Sequence, residues 1–225
     1  MKNEEKMIIY QVFTRLFGNN NNHCINNGDI LQNGCGKMAD FTTKALGEIR
    51  KLGATHIWYT GIIEHATQTD YRRYNIRPDH PAIVKGKAGS PYAIKDYYDV
   101  DPDLATDVPG RMKEFENLVN RTHRAGLKVI IDFVPNHVAR QYHSDAQPDG
   151  TSQLGANDDP NYSFSPYNNF CAAHSRTESM NFCSLSFLRL KCHLHVCIHL
   201  LIHNIVREIH ASSGSRRNPH SSQHS

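Results

Sequence analysis

The sequence predicts an α/β domain built on parallel strands, because a helix, glycine, strand unit occurs twice and an apolar strand precedes both. That first strand is Ile8 to Phe13, β-branched and aromatic with little alternation, as a strand covered on both faces should be. The first unit has Asp40 as the expected N-cap and Phe41, Ala45, Leu46, Ile49 and Leu52 on one helical face. Gly53 then ends the helix, and a strand follows from Ala54 to Tyr59. The second unit lies 73 residues on, from Gly53 to Gly126. Asp107 is its expected cap, and Pro109 stands in the first turn. Met112, Phe115, Leu118, Val119 and Ala125 form its stripe, and Leu127 to Val134 its strand. These units fit a parallel sheet, open or closed into a barrel.

Composition narrows the class without naming an activity. Of 225 residues, 39% are hydrophobic and 21% charged, and the net charge of +3 is too small to imply a nucleic-acid partner. The start, Met1 to Met7, is charged and lacks an apolar run, which makes a cytoplasmic location the default. Beyond Ala172 the text changes. Eight histidines and many serines follow, and Phe182 to Val206 is apolar but broken by Arg189, Lys191 and histidines. That pattern argues against a membrane span. Cys192, Cys197, His199 and His203 have the ligand chemistry of a zinc site but not the spacing of a finger. A shifted reading frame or chimeric end accounts for residues 171–225 more simply, with the end of the chain disordered.

Chemistry concentrates in two places. The stretch from Gly61 to Thr106 reads as a long rim loop with Tyr71, Tyr74, Tyr92, Tyr97, Tyr98, Asp96 and Asp99. Rings and carboxylates suit a sugar, and a solvated structural loop accounts for the same composition. The second place is Asp132-Phe133-Val134-Pro135-Asn136-His137. Asp132 is an ionisable group inside an apolar run, expensive to bury without an arginine or several N–H partners. It reads as a site-organising carboxylate or a structural ion pair. Asn136 offers an amide oxygen to a hard cation or makes an Asx turn. His137 suits an acid or base, a ligand, or a hydrogen-bond donor.

Four segments in order resemble the alpha-amylase family of glycoside hydrolases: Tyr10 to Phe13, Leu52 to Trp58, Tyr92 to Tyr98, and Asp132 to His137. The resemblance covers about residues 8–170. It implies a TIM (β/α)8 barrel present as an N-terminal fragment, with about three of eight strands in 8–137, the start of an inserted loop-rich domain in 138–170, and an unrelated tail in 171–225. It implies that Tyr92 stacks under the sugar, His137 hydrogen-bonds its hydroxyls, Asp132 orients an active-site arginine, and Asn136 binds calcium. Asp70 and Tyr71 are expected along the substrate groove. The substrate class is α-glucan or maltooligosaccharide, with no nucleic acid, membrane or specific protein partner.

One departure is Gly61, where the family favours proline after the threonine. The family reaction is retaining cleavage of an α-1,4 glucosidic bond by two carboxyl groups about 5–5.5 Å apart. Their motifs are not recognisable after Phe170, so no catalytic residue is assigned. The chain is expected to be inactive alone, and a noncatalytic sugar-binding remnant and a transglycosylase or isomerising relative remain alternatives. An arc of three strands is also expected to leave Val12, Ile57 and Ile130 without interior partners and to be poorly stable.

Overall fold

A computed structural model describes residues 6–135, 137–159 and 161. The elements in chain order are β1 (Ile9–Phe13), α1 (Ile30–Asn33), α2 (Thr43–Lys51), β2 (His56–Thr60), β3 (Ile63–His65), β4 (Ile94–Val100), α3 (Arg111–Arg124) and β5 (Lys128–Ile131). The strands form a parallel sheet in the order β1-β2-β5 and a separate antiparallel pair, β3 with β4. The fold is therefore a partial α/β domain, consistent with an incomplete TIM-barrel-like catalytic fold. The residue 171–225 readings lie outside the described residues. Among the described residues, no helix is long and apolar enough to cross a membrane.

Both helix, glycine, strand units form, and both glycines turn left-handed after their helix, Gly53 at φ +88° and Gly126 at φ +77°. The helix starts differ from the expected caps. Thr42 caps α2 by accepting the Ala45 N–H at 3.2 Å, while Asp40 sits one short turn earlier and accepts the Lys37 N–H at 2.7 Å. Pro109 and Gly110 delay α3 to Arg111. Glu114 reaches back to the Thr106 and Asp107 N–H groups, so Asp107 is held rather than capping.

Register fixes which face each strand residue occupies. Tyr10, Ile57 and Val129 lie side by side, as do Val12, Tyr59 and Ile131. Both rows join the core beneath α2 and α3, with Met38, Phe41, Leu46, Phe115 and Leu118. The expectation for Val12 and Ile57 is therefore corrected: both are buried, because they point at the helices and not into a barrel interior. The opposite face carries Gln11, Trp58 and Ile130, which the described residues leave exposed or half-exposed. Period two decides this, since the odd and even residues of a strand cannot share a face.

Phe41 centres the core, stacked on Phe17 at 4.1 Å and edge-on to Tyr59 at 4.9 Å. The Tyr59 hydroxyl pairs with Thr122 Oγ1 at 2.6 Å. Burial pushes Tyr59 up to about 12, outweighing that hydrogen bond. Burial, then Asp101 and Asp103, pushes Cys35 up to about 12. Raised values mean that the folded protein holds these protons more tightly than the unfolded chain. Their stability is whole below the ordinary values, 9.0 for Cys35 and 10.0 for Tyr59, and is lost as pH rises toward 12. Unfolding free energies from urea titration should therefore fall above pH 9, by up to about 1.4 kcal/mol per pH unit for each group. Tyr59→Phe should remove its share of the slope above pH 10 and cost about 1 kcal/mol at neutral pH. An alkaline slope unchanged by Tyr59→Phe would contradict this.

Candidate functional site

The carboxyl ends of β1 and β2 open onto a cavity of about 930 Å³ lined by Gln11, Phe13, Arg15, Thr60, Pro91 and Tyr92, among others. Parallel strands end with their variable loops on this side, which is where such sheets place their ligands. The floor is tied together by side chains. Gln11 Nε2 donates to Thr60 Oγ1 at 3.0 Å, and Thr14 Oγ1 donates to the Thr60 carbonyl at 2.9 Å. Arg15 stacks over Phe13 at 4.8 Å and donates to the Ala88 and Gly89 carbonyls at 3.0 and 3.1 Å. It thereby pins the loop that carries Tyr92. Arg15 and Gln11 were not singled out from sequence, although their period-two spacing with Phe13 is a readable signal.

Tyr92 projects into this cavity and remains 46% exposed, enough ring for a ligand to cover. Asp132 follows the end of β5, half-buried, and accepts hydrogen bonds from the Trp58 indole Nε1 and from the Gly61 backbone N–H, the latter at 3.2 Å. The strand stops at Ile131, earlier than Val134, because β2 ends at Thr60 and Asp132 turns to meet Gly61 instead of a further ladder partner. Asp132 is thus met by two N–H donors on and after β2. His137 is exposed, and Asn136 lies outside the described residues.

Asp70 lines a neighbouring cavity of about 420 Å³ that shares Arg15, Lys87 and Ala88 with the first. It is exposed and clamped by Arg72, whose Nε lies 3.0 Å from each oxygen, and this hydrogen bonding lowers Asp70 to about 2. Tyr71 is half-buried and donates to Asp103 Oδ1 at 2.7 Å. Burial and the Asp103 carboxylate raise its phenol well above the ordinary value.

The Gly61–Thr106 stretch departs most from its reading. It is not loop throughout, since β3 and β4 pair within it and residues 138–159 pack back on β4. Asp96, Tyr97 and Asp99 are buried there and do not face a sugar rim. Tyr97 joins an apolar cluster with Ile63, Ile94 and Val134, while Asp96 and Asp99 belong to an ionic layer with Glu64, His65, Lys95 and Asp101, every member of that layer 3% exposed or less. His65 Nδ1 lies 2.5 Å from Asp101 Oδ2 and its Nε2 lies 3.2 Å from the Ala88 carbonyl. Burial alone would depress this imidazole, but Asp101 outweighs it and holds it up.

Residues 11–174 match the alpha-amylase catalytic domain. The chain belongs to the alpha-amylase family. It is 30% identical over 134 residues to the amino acid transporter heavy chain SLC3A1 of Mus musculus, covering 60% of this chain and 14% of that protein. It is 27% identical over 138 residues to the trehalose-6-phosphate hydrolase of Bacillus subtilis (strain 168), covering 61% of this chain and 18% of that protein. A crystal structure of an alpha-amylase from Lactobacillus plantarum is 29% identical with a TM-score of 0.40, covering 60% of this chain and 24% of that one. The chain spans less than a fifth of the length of these two curated relatives.

Proposed function

We propose that this alpha-amylase-family chain forms the sugar-contacting rim of a glycoside hydrolase acting on α-1,4-linked glucose oligomers, and that the chain itself binds maltooligosaccharide without cleaving it. The observation that carries the reading is the half-exposed Tyr92 ring over the cavity at the ends of β1 and β2. A flat ring beside amide and hydroxyl groups suits the apolar face and hydroxyl edge of a pyranose. His137 and Asp132 complete the rim in this reading, with Asp70 and Tyr71 along the groove and the Asn136 amide oxygen given to calcium.

The noncatalytic half rests on the acids. Retaining cleavage requires two facing carboxyl groups, one attacking the anomeric carbon and one protonating the leaving oxygen. Among the described residues no carboxylate lines the cavity that holds Tyr92. Asp132 gives both oxygens to N–H donors, and Asp70 is held by Arg72. Relatives named as a hydrolase and as a transporter heavy chain fit a family domain whose membership does not fix an activity.

Calorimetric titration with maltoheptaose tests the reading. Saturable binding is expected, and Tyr92→Ala should weaken it at least tenfold while changing stability by under about 0.5 kcal/mol. Absence of binding by the wild-type chain would sink the sugar reading. Reducing-sugar release that disappears on mutating one of this chain's acids would sink the noncatalytic half.

A further inference from the structure

We propose that Glu64, Asp96 and Asp99 bind one hard divalent cation, calcium fitting best, between β3 and β4. The three carboxylates are 1%, 0% and 2% exposed, and one ligand oxygen from each lies within 4.8 Å of the others. Calcium holds oxygens at about 2.3–2.6 Å, so two ligands on opposite sides of it stand about 5 Å apart. Separations of no more than 4.8 Å let one ion reach all three carboxylates. An all-oxygen donor set favours calcium, magnesium or manganese over zinc.

Glu64 Oε2 supplies the independent observation. It is buried and accepts no hydrogen bond among the described residues. Asp96 and Asp99, by contrast, are hydrogen-bonded on both oxygens. Asp96 Oδ1 accepts the Tyr98 N–H at 2.8 Å, and its Oδ2 accepts the Asp145 and Ala146 N–H groups at 2.9 and 3.1 Å. Asp99 is held by Arg111, whose Nε lies 3.0 and 2.9 Å from its oxygens, and by the Val100 N–H at 2.7 Å. Glu64 Oε2 accepts no bond and Asp96 Oδ1 accepts one, so both keep lone pairs for an ion, whereas each Asp99 oxygen already takes two contacts and has to give one up to ligate.

Charge points the same way. Glu64 stands directly opposite Asp96 in the ladder, a like-charged cross-strand pair that is destabilising without compensation. Lys95 reaches Glu64 at 3.4 Å and Asp79 at 3.6 Å, and Arg111 answers Asp99. Glu64, Asp79, Asp96 and Asp99 thus face two cations, with Asp101 paired separately to His65. The excess is two negative charges, the charge of one divalent ion, in a place where uncompensated charge is costly. Burial accordingly pushes Glu64, Asp96 and Asp99 upward in the ion-free protein. The site uses none of the residues that the resemblance assigns to calcium, which centre on Asn136.

The test is metal content of the full chain after gel filtration from calcium-containing buffer, with thermal unfolding before and after chelation. Wild type should retain an ion that Glu64→Gln loses, and the surface control Glu48→Gln should keep it. Chelation should lower the wild-type midpoint by more than that of Glu64→Gln, and an equal drop in the two would count against the site. Asp96→Asn is the second variant, expected to weaken retention at least tenfold. The assignment is overturned if wild type retains no calcium, magnesium or manganese, which would leave protons as the compensating charge. Full retention by both Glu64→Gln and Asp96→Asn would overturn it equally. Sugar binding at Tyr92 is read separately, so either assignment can fail alone.

Discussion

Lys95→Met should destabilise the domain by about 3–5 kcal/mol, the cost of stranding buried charge by removing its partner. Lys95 is 2% exposed, reaches Glu64 at 3.4 Å and Asp79 at 3.6 Å, and also donates to the Arg77 carbonyl. Methionine fills most of the same volume, so packing is nearly conserved and the loss is electrostatic. The substitution leaves two carboxylates and a carbonyl on β3 and the loop between β3 and β4 without their shared donor. Urea denaturation in chelator, followed by circular dichroism, measures it. A loss under about 1 kcal/mol would show that the ammonium is not what holds the layer together. The double variant Lys95→Met with Glu64→Gln should recover part of the loss, because one of the stranded charges has been removed. Strict additivity of the two changes would contradict the shared contact.

The three parallel strands were legible because each is a β-branched or aromatic run, two of them introduced by a helix-ending glycine, Gly53 and Gly126, and those residues act locally. Strand facing was not. Val12 and Ile57 look no different from Ile9 and Ile130 in composition, and a strand covered on both faces carries no polarity to show which side meets helices. Only the pairing of Tyr10 with Ile57 and of Val12 with Tyr59 resolves it. The β3–β4 pair was hidden for the opposite reason. Ile94 to Val100 contains Lys95, Asp96 and Asp99, and such a run reads as rim until its charges are seen to satisfy one another in the interior. Asp132 could be read because a lone carboxylate in an apolar strand demands partners. That the donors would be Trp58 and Gly61 depends on where β2 stops, which no local pattern specifies.

Gly61→Pro, which installs the residue the family favours after this threonine, should cost about 3 kcal/mol or more here. Gly61 has φ +77°, a left-handed conformation that a proline ring, fixed near −65°, cannot enter. Its N–H also donates to Asp132 Oδ2 at 3.2 Å, and proline has none to give. Any Cβ at this position meets the Pro91 Cβ at 3.0 Å and the Phe13 ring at 3.1 Å, both beside Tyr92. The change should therefore weaken maltoheptaose binding as well as stability. Gly61→Ala separates the causes: it retains the N–H, bears the backbone strain and close contacts, and should cost about 1–2 kcal/mol. A neutral or stabilising Gly61→Pro would mean that the β2 exit relaxes to a different path, releasing Asp132 from Gly61. If the glycine geometry holds, the exit from β2 and the carboxylate after β5 are one unit, and a residue at position 61 is acceptable only if it can turn left-handed and still donate its N–H.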